Sequence, residues 1–351
     1  MIESRSIAVH GLTATISCSE RQIIEWFEFD FRYFLVQAPQ AEPDVRLTVE
    51  LIAPPFETMP PMEEVMHSRQ FACFEQGAKR YINYQNRTLL VFDYANHSGV
   101  IYCADHATAY EKLYLTLLSR LGEKLDYMGL HRVHALGIAY ESQACLFLIP
   151  EGGGKSTLAL SLLDSPKVKL FSEDTPFIDK HAHVFPFPFR LGICDGSGTE
   201  LIPERYKREV LTQYGVHKTL VESSYFADKT VKEPMLIGIL FCGKWVTSQS
   251  PRIVKTSRLT AFGYLVRDCI FGLGLPQVIE LFLTSGINNL LKKSSIALSR
   301  TVASLSLLTR SRCYQLYLSN SPEENAKLIV SFLESHKVSD RLSNPQSSVA
   351  S

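Results

Sequence analysis

The fold is decided by residues 142–163, which read SQACLFLIPEGGGKSTLALSLL. Residues 144–149 form a short, continuous apolar run, which is typical of a strand buried on both faces. Residues 156–163 carry leucines at a spacing that predicts a helix. Glycines, a lysine and two hydroxyl residues stand between the two runs. The stretch therefore predicts a strand, a glycine-rich turn and a helix in immediate succession.

The glycine-rich turn has the chemistry of a phosphate-binding loop. Glycines permit backbone angles that other residues avoid, and they let a ligand approach the backbone. The helix start offers unpaired N–H groups and the positive end of a dipole, both of which suit a phosphate. A lysine there reaches the β- and γ-phosphates of a nucleotide, and a hydroxyl serves Mg²⁺. The predicted cofactor-binding residues are Glu151, Gly152, Gly153, Gly154, Lys155, Ser156 and Thr157.

One position departs from the generic phosphate loop. That loop has a glycine six residues before the lysine, and Ile149 stands there in this chain. The alternative is a flexible turn that contains a lysine by chance. The order of strand, turn and helix favours phosphate binding.

Composition excludes several classes of function. The chain has 351 residues, of which 46% are hydrophobic and 21% charged, as in globular proteins. Its 36 basic and 36 acidic residues cancel, which argues against a nucleic-acid or membrane-surface role driven by bulk charge. No secretory signal or transmembrane span is expected. The eight scattered cysteines indicate buried thiols in a reducing cytoplasm rather than disulfides or a zinc site.

Periodicity predicts an α+β protein with an N-terminal β-rich domain over residues 1–105 and a second domain over 106–337. Residues 338–351 are polar and are expected to be disordered. The strands expected in the first domain are 46–52, 69–74, 88–94 and 99–104, with a helix over 19–29 capped by Ser19. In the second domain, helices are expected over 106–128, 257–310 and from Pro322 to about 335. Strands are expected over 131–140, 144–149, 169–174, 176–179, 183–191, 235–242 and 312–319.

Two adjacent acids follow the helix of the loop. Glu173 and Asp174 end the next predicted strand, whose end returns beside the phosphate site. Pro176 makes a break in that strand plausible, so that both side chains can face the site. The alternative is a solvated acidic turn.

His134 is a second candidate proton carrier, although a histidine on an apolar run is more often a core residue. His181 and His183 are discounted as a metal pair.

The order of these motifs resembles the catalytic domain of bacterial HPr kinase/phosphorylase. It is still more similar to the HPr-kinase-related proteins found beside peptide-modification genes. The matching segments are VHALGIAY (133–140), ACLFLIPEGGGKSTLALSLL (144–163), KLFSEDTPFID (169–179) and HVFPFPFRLGI (183–193), followed by LIGILFCGKW and RCYQLYLSNSPEENAKLI. The spacing of His134 and Lys155 matches the family, as does the acidic pair. The resemblance covers about residues 106–335.

The resemblance implies a phosphoenolpyruvate-carboxykinase-like P-loop fold, with mixed sheets and C-terminal helices. It implies ATP and Mg²⁺ as cofactors and a serine of a small protein or peptide as the acceptor. Ser156 and Asp174 are expected to hold Mg²⁺, while Glu173, supported by His134, takes the acceptor's proton. The strict enzyme has two aspartates where this chain has Glu173 and Asp174, and phosphorolysis is not expected.

Two functions of different classes remain open. The first is a cytoplasmic ATP-dependent serine kinase that acts in a peptide-modification system, with Glu173, Asp174 and His134 as its catalytic residues. The second is an inactive nucleotide-binding scaffold or regulator of such a system. No nucleic-acid or membrane partner is expected in either case. The identity of the acceptor and the oligomeric state, a homo-oligomer included, are not predicted.

Overall fold

A computed structural model describes residues 1–343 apart from 38–40, 61, 195, 197, 212–214, 247–249 and 273–286. It combines several sheets with helices, which confirms the α+β class. Among the described residues, no helix combines the length and apolarity needed to cross a membrane. Of the predicted tail, residues 344–351 lie outside the described residues. Seven of the eight cysteines are buried, and Cys194 is exposed.

The contacts divide the chain into two compact units. The first comprises Met1–Leu130 with Glu222–Ser224 and the described part of 275–299. The second contains the remaining described residues from His131 onward. The main boundary thus follows Leu130, whereas the sequence prediction ended the N-terminal domain at 105. The difference is one helix, which packs on the first sheet.

The first unit is a mainly antiparallel sheet with helices packed on it. Its helices are α1 (Arg21–Asp30) and α2 (His106–Tyr127). Its strands are β1 (Glu3–Val9), β2 (Leu12–Cys18), β3 (Leu35–Val36), β4 (Val45–Glu50), β5 (Glu63–His67), β6 (Ala72–Gln76), β7 (Lys79–Tyr84), β8 (Thr88–Asp93) and β9 (Ser98–Cys103). The strand order is β3-β1-β2-β4-β9-β8-β7-β6-β5, and β4 is parallel to both neighbours.

Alternation of side chains explains how this sheet buries one face. In β2, every second residue from Leu12 to Cys18 is buried. α2 covers β4 and β9 and begins at the cap residue Asp105, whose side chain accepts a hydrogen bond from Thr108 N at 2.8 Å. The predicted Ser19 cap is wrong, because the cap residue of α1 is Glu20, which makes no side-chain capping bond.

The second unit carries the glycine-rich loop. Its helices are α3 (Lys155–Leu163), α4 (Arg258–Leu265), the part of α5 (Ile287–Arg310) from Arg300 onward, and α6 (Pro322–Ser343), and a π-helical turn is formed by Val266–Ile270. Its strands are β10 (His131–Arg132), β11 (Leu136–Tyr140), β12 (Gln143–Leu148), β13 (Val168–Ser172), β14 (Phe177–Ile178), β15 (His183–Phe185), β16 (Leu191–Cys194), β17 (Lys207–Leu211), β18 (His217–Val221), β19 (Met235–Trp245), β20 (Arg252–Lys255) and β21 (Arg312–Leu318).

Parallel strands lie at the centre of the main sheet of this unit. The order is β10-β14-β15-β19-β12-β11-β13, and β21 pairs with residues 239–245 of β19, beyond the pairing of β15 with residues 235–236. The pairs β12–β19 and β19–β21 are parallel, so the carboxyl ends of three strands meet at one edge. Ligands of such sheets bind beyond the carboxyl ends of the strands. α3 begins at this edge, because β12 leads directly into the loop before it.

Several boundaries differ from the sequence prediction. The expected strand 131–140 is two strands, β10 and β11, separated by residues 133–135. The proline-rich segment 183–191 forms β15 and then runs without regular structure to β16, because proline cannot donate to a ladder. The last helix continues to Ser343, beyond the predicted end near 335. Expected strands within 144–149, 235–242 and 312–319 are confirmed.

Candidate functional site: the glycine loop and its acidic pair

The glycine loop, defined as residues 149–154, joins β12 to α3. Gly152 and Gly154 have φ angles of 71° and 77°, which side chains rarely adopt. Gly154 is the cap residue of α3 and offers no side-chain capping bond. The first amides of a helix have no intrahelical partner. The start of α3 therefore presents uncapped N–H groups and the positive end of its dipole at the carboxyl edge of the sheet.

Ile149 explains why two further glycines are needed. A Cβ on Gly153 would lie 2.5 Å from Ile149 Cγ2, and a Cβ on Gly243 would lie 2.5 Å from Ile149 Cγ1. Side chains do not pack at such distances, so both positions require glycine. Ile149 itself is buried. Its side chain thus fills the space between the loop and β19, and the departure from the generic loop is accommodated by Gly243.

Lys155 is the first residue of α3, and its side chain is buried at 6% exposure. Its Nζ atom lies 2.9 Å from His134 Nε2, 3.0 Å from the Ile149 carbonyl oxygen and 3.4 Å from the Pro150 carbonyl oxygen. An ammonium group has three donors and no acceptor. His134 Nε2 must therefore accept, which places the proton of a neutral imidazole on Nδ1. Lys155 is therefore enclosed in part by the backbone of the loop that precedes it.

The Nδ1 atom of His134 faces Asp174. The Nδ1–Oδ1 distance is 3.1 Å, and Lys155 Nζ is 3.7 Å from the same oxygen. Within the described residues, Nδ1 has no partner that also meets the angle of a hydrogen bond. The carboxylate oxygen is therefore a close electrostatic contact that lies off the N–H direction. His134 is 4% exposed, so this polar atom is almost enclosed by protein.

Backbone hydrogen bonds fix the orientation of His134. Its amide donates to the Asp268 carbonyl oxygen at 2.9 Å, and the Ala135 amide donates to the Asp174 carbonyl oxygen at 2.9 Å. Val133 N donates to Pro176 O at 3.0 Å. Residues 133–135 thus lie alongside 174–176, although neither segment is regular strand. The histidine is held beside the acids by main-chain geometry.

Glu173 takes a different partner from Asp174. Ser156 Oγ donates to Glu173 Oε1 at 2.5 Å. β13 ends at Ser172, so both acids lie in the turn before β14, as the sequence predicted from Pro176. The sequence predicted that His134 supports Glu173. In the structure His134 lies beside Asp174 instead, and Glu173 is bonded to Ser156. Each acid therefore contacts a different neighbour of the loop.

The two acids titrate differently. Burial, followed by the negative charge of Asp174, raises the pKa of Glu173 to about 7. The side chain of Asp174 is 42% exposed; its partial desolvation opposes ionisation, but His134 and Lys155 outweigh this and lower the pKa of that carboxyl. The two groups interact, so their protons leave as a coupled pair. A pair of carboxyls with pKa values driven apart is typical of acid–base sites.

The predicted site residues converge at the start of α3, with two exceptions. Lys155, Ser156, Glu173, Asp174 and His134 form one connected cluster. Thr157 Oγ1 instead donates to the Gly154 carbonyl oxygen at 3.0 Å, which stabilises the first turn. Glu151 is exposed on the loop.

Sequence reasoning missed two features near the cluster. Trp245, the last residue of β19, lies against Gly154: a Cβ on that glycine would be 3.5 Å from Trp245 Cζ3. Asp268, in the π-helical turn, is buried, and Arg267 donates to both of its carboxylate oxygens at 2.6 Å. Burial raises the pKa of Asp268, which Arg267 opposes. Alternation along β19 could have indicated Trp245, whereas no pattern within 257–310 marks a π-helical turn.

The oxygen donors suit Mg²⁺. Ser156, Glu173 and Asp174 offer a hydroxyl and two carboxylates, which are the hard ligands this ion prefers. Within the described parts of the chain, no group of three or more His, Cys, Asp and Glu side chains could hold a metal by itself. A site completed by phosphate oxygens needs fewer protein ligands. His181 and His183 each donate a backbone amide to Asp179 Oδ1 at 2.9 Å, so that hairpin has a structural explanation.

No model of a known protein family matches the chain. A search of curated proteins finds no match either. The geometry around Lys155 therefore carries the functional conclusion.

Proposed function

We propose that this protein is an ATP-dependent kinase of the HPr-kinase-like type, with a phosphoenolpyruvate-carboxykinase-like P-loop fold. It transfers the γ-phosphate to a hydroxyl, in our proposal a serine of a small protein or peptide. The observation that supports this best is the cluster at the start of α3. A buried lysine, an uncapped helix start, a neutral histidine and two acids of different pKa meet there. Parallel β12 and β19, flanked by antiparallel β11 and β13, support the mixed-sheet fold.

Phosphate binding rests on the loop and Lys155. The amides at the start of α3 and the helix dipole favour an anion. Two of the three hydrogen-bond partners of Lys155 Nζ are neutral carbonyl oxygens. A phosphate oxygen carries charge and makes a stronger hydrogen bond to an ammonium than a carbonyl does. Nucleotide binding therefore draws Lys155 from Ile149 and Pro150 toward the phosphates.

The contacts favour exchanging the roles that the sequence suggested for the two acids. Glu173 touches Ser156, the hydroxyl residue that serves Mg²⁺ in phosphate loops, so we assign Glu173 with Ser156 to the ion. Bound there, Mg²⁺ neutralises charge on the phosphates. Asp174 lies beside Lys155 and His134, close to where the terminal phosphate is drawn. We assign it to accept the proton of the attacking hydroxyl, with His134 orienting it.

Little else is required of the protein in phosphoryl transfer. Positioning and charge stabilisation supply most of the rate, and the hydroxyl proton needs only an ionised acceptor nearby. The lowered pKa of Asp174 keeps that acceptor ionised at neutral pH. The extra methylene of Glu173 allows its carboxylate to reach Ser156 Oγ. The Glu–Asp order is therefore compatible with a working site.

A second candidate is a nucleotide-binding module without transfer. One observation favours it: Ser156 is bonded to Glu173, and Lys155 has an acceptor for each of its donors. A site satisfied in this way has to break its own contacts before it binds Mg²⁺ and phosphate. A module that only senses nucleotide tolerates that cost better than a fast enzyme.

Label transfer distinguishes the two candidates. The protein is incubated with Mg²⁺, γ-labelled ATP and the small proteins or peptides encoded by neighbouring genes. The kinase proposal expects label on a serine of one of them and its loss in Asp174→Asn. Bound ATP that never yields labelled product supports the module. Failure to bind ATP contradicts both candidates.

A further inference from the structure

Trp245 is exposed next to the glycine loop. The residue is 43% exposed, although tryptophan is largely buried in most proteins. Its ring atoms Cζ3 and Cη2 lie 3.5 Å and 3.9 Å from the position of a Cβ on Gly154. A side chain at Gly154 would therefore stand between the ring and the loop. The loop backbone and the aromatic ring are in direct reach of one ligand.

The strand register brings Trp245 to this place. Side chains alternate along a strand, so Phe241, Gly243 and Trp245 point to the same face of the sheet. Phe241 stacks on Phe147 of β12, with ring centroids 4.6 Å apart, and Gly243 lies against Ile149. This is the face on which α3 packs. Trp245 continues the same row one step beyond the covered core.

Trp245 lies at the glycine loop, whereas the acidic pair contacts the first residues of α3. The acids contact the side chains of Lys155 and Ser156, whereas Trp245 lies at Gly154. A nucleotide whose terminal phosphate faces the acids must direct its nucleoside to another wall of the loop. Trp245 supplies an exposed π-surface at such a wall. Aromatic side chains bind bases through stacking, and tryptophan offers the largest ring for it.

We propose that Trp245 is the platform on which the adenine base of the bound nucleotide stacks. This inference rests on the proposed nucleotide-binding function and adds the residue that recognises the base. The competing explanation is that Trp245 only braces Gly154 and shapes the loop. The two explanations differ in one respect: a platform affects ligands that have a base, whereas a brace affects every phosphate ligand.

Binding of ADP and of inorganic tripolyphosphate separates the two explanations. Both ligands are titrated with Mg²⁺ into the wild type, Trp245→Ala, Trp245→Phe and Lys155→Ala by calorimetry. In Trp245→Ala, ADP affinity should fall on the order of 10-fold or more, the size of one stacking contact. Tripolyphosphate affinity should change less than about 2-fold, and Trp245→Phe should retain most of the ADP affinity. Lys155→Ala should weaken both ligands.

Fluorescence gives an independent signal, because the chain has only two tryptophans. In a Trp26→Phe background, Trp245 is the sole source, and ADP should quench it more strongly than tripolyphosphate does at equal saturation. If Trp245→Ala lowers the affinities for ADP and tripolyphosphate equally, or does not lower the affinity for ADP, Trp245 is not a stacking platform. Either result remains compatible with phosphate binding by the loop. A wild type that binds neither ligand overturns the proposed function together with the platform.

Discussion

The Nζ atom of Lys155 lies 2.9 Å from the Nε2 atom of His134, so the cation of the loop is bonded to an imidazole. Because the ammonium can only donate, His134 Nε2 accepts, and Nδ1 on the other side of the ring lies 3.1 Å from Asp174 Oδ1, which is off the N–H direction. A chain of contacts thus runs from Lys155, which we propose binds phosphate, through His134 to Asp174. Replacing any member changes the surroundings of the other two.

Lys155→Ala should weaken the binding of Mg²⁺–ATP by about 10- to 100-fold, because a charged contact to phosphate is lost. It should also lower the free energy of unfolding by about 1–3 kcal/mol, since buried polar atoms of His134, Ile149 and Pro150 lose their donor. Calorimetry and urea denaturation measure the two effects. Lys167→Ala is the matched control, because its pair with Glu334 is exposed. Unchanged ATP affinity in Lys155→Ala would refute the phosphate loop.

The contribution of Glu173 to the stability of the free protein should fall as pH rises from about 4.3 to 7. Unfolded glutamate titrates near 4.3, whereas burial and the charge of Asp174 raise the pKa of Glu173 to about 7 in the folded protein. Between these values Glu173 binds more protons in the folded state than in the unfolded state, so its contribution to the free energy of unfolding decreases as pH rises. Glu173→Gln should flatten this dependence, and Glu151→Gln, a change on the exposed loop, should not. Urea denaturation midpoints at pH 5 and 8 measure the pH dependence of stability. Equal pH dependence in the wild type and Glu173→Gln would contradict the raised pKa of Glu173.

Mg²⁺ dependence should distinguish the two acids. If Glu173 holds the ion with Ser156, Glu173→Gln raises the Mg²⁺ concentration needed for half-maximal ATP turnover by about 10-fold or more. Asp174→Asn should instead lower turnover at saturating Mg²⁺ by about 100-fold or more, with little change in that concentration. Hydrolysis of γ-labelled ATP provides the readout when no acceptor is present. The reverse pattern would restore the roles suggested by the sequence.

His134 and Asp174 should behave as a unit. We expect His134→Gln and Asp174→Asn each to reduce turnover, and the double variant to lose little more than the worse single one. His134→Gln combined with Glu173→Gln serves as the comparison, since those side chains contact different partners. If His134 is only a core residue, its variant lowers the thermal midpoint while turnover per folded molecule is unchanged. Additive losses in the first pair would also rule out the coupling.

Gly243→Ala should destabilise the protein by about 1–3 kcal/mol, because the new methyl group would lie 2.5 Å from Ile149 Cγ1. Ile149→Ala in the same chain should recover part of that loss, so the two changes are expected to be non-additive. Gly192→Ala is the control within a strand, because a Cβ at that position would lie 3.7 Å from its nearest neighbour, Leu220 Cδ2. Chemical denaturation of the singles and the double measures the coupling. Equal costs at Gly192 and Gly243 would contradict a specific clash.

The local order of the site could be predicted from the sequence, but its side-chain partners could not. Apolar runs and glycines predicted the strand, loop and α3, and Pro176 predicted the break that frees Glu173 and Asp174. The direction of His134 depends on how residues 133–135 lie alongside 174–176, and one sequence does not specify such a register. Trp245 was missed because its approach to Gly154 joins segments far apart in the chain.

The packing of Ile149 against Gly243 has a consequence for recognising loops of this kind. The generic motif has a glycine at the position of Ile149, whereas here the glycine is Gly243, on the neighbouring strand β19 and far away in sequence. Positions 149 and 243 therefore face the same space in the core, so a larger side chain at one requires a smaller one at the other. Among relatives of this chain, a small residue at position 149 should accompany a larger one at position 243, and the converse. A motif that covers only residues around the loop includes position 149 but not position 243. Covariation between the two positions would detect loops in which the glycine has moved to β19.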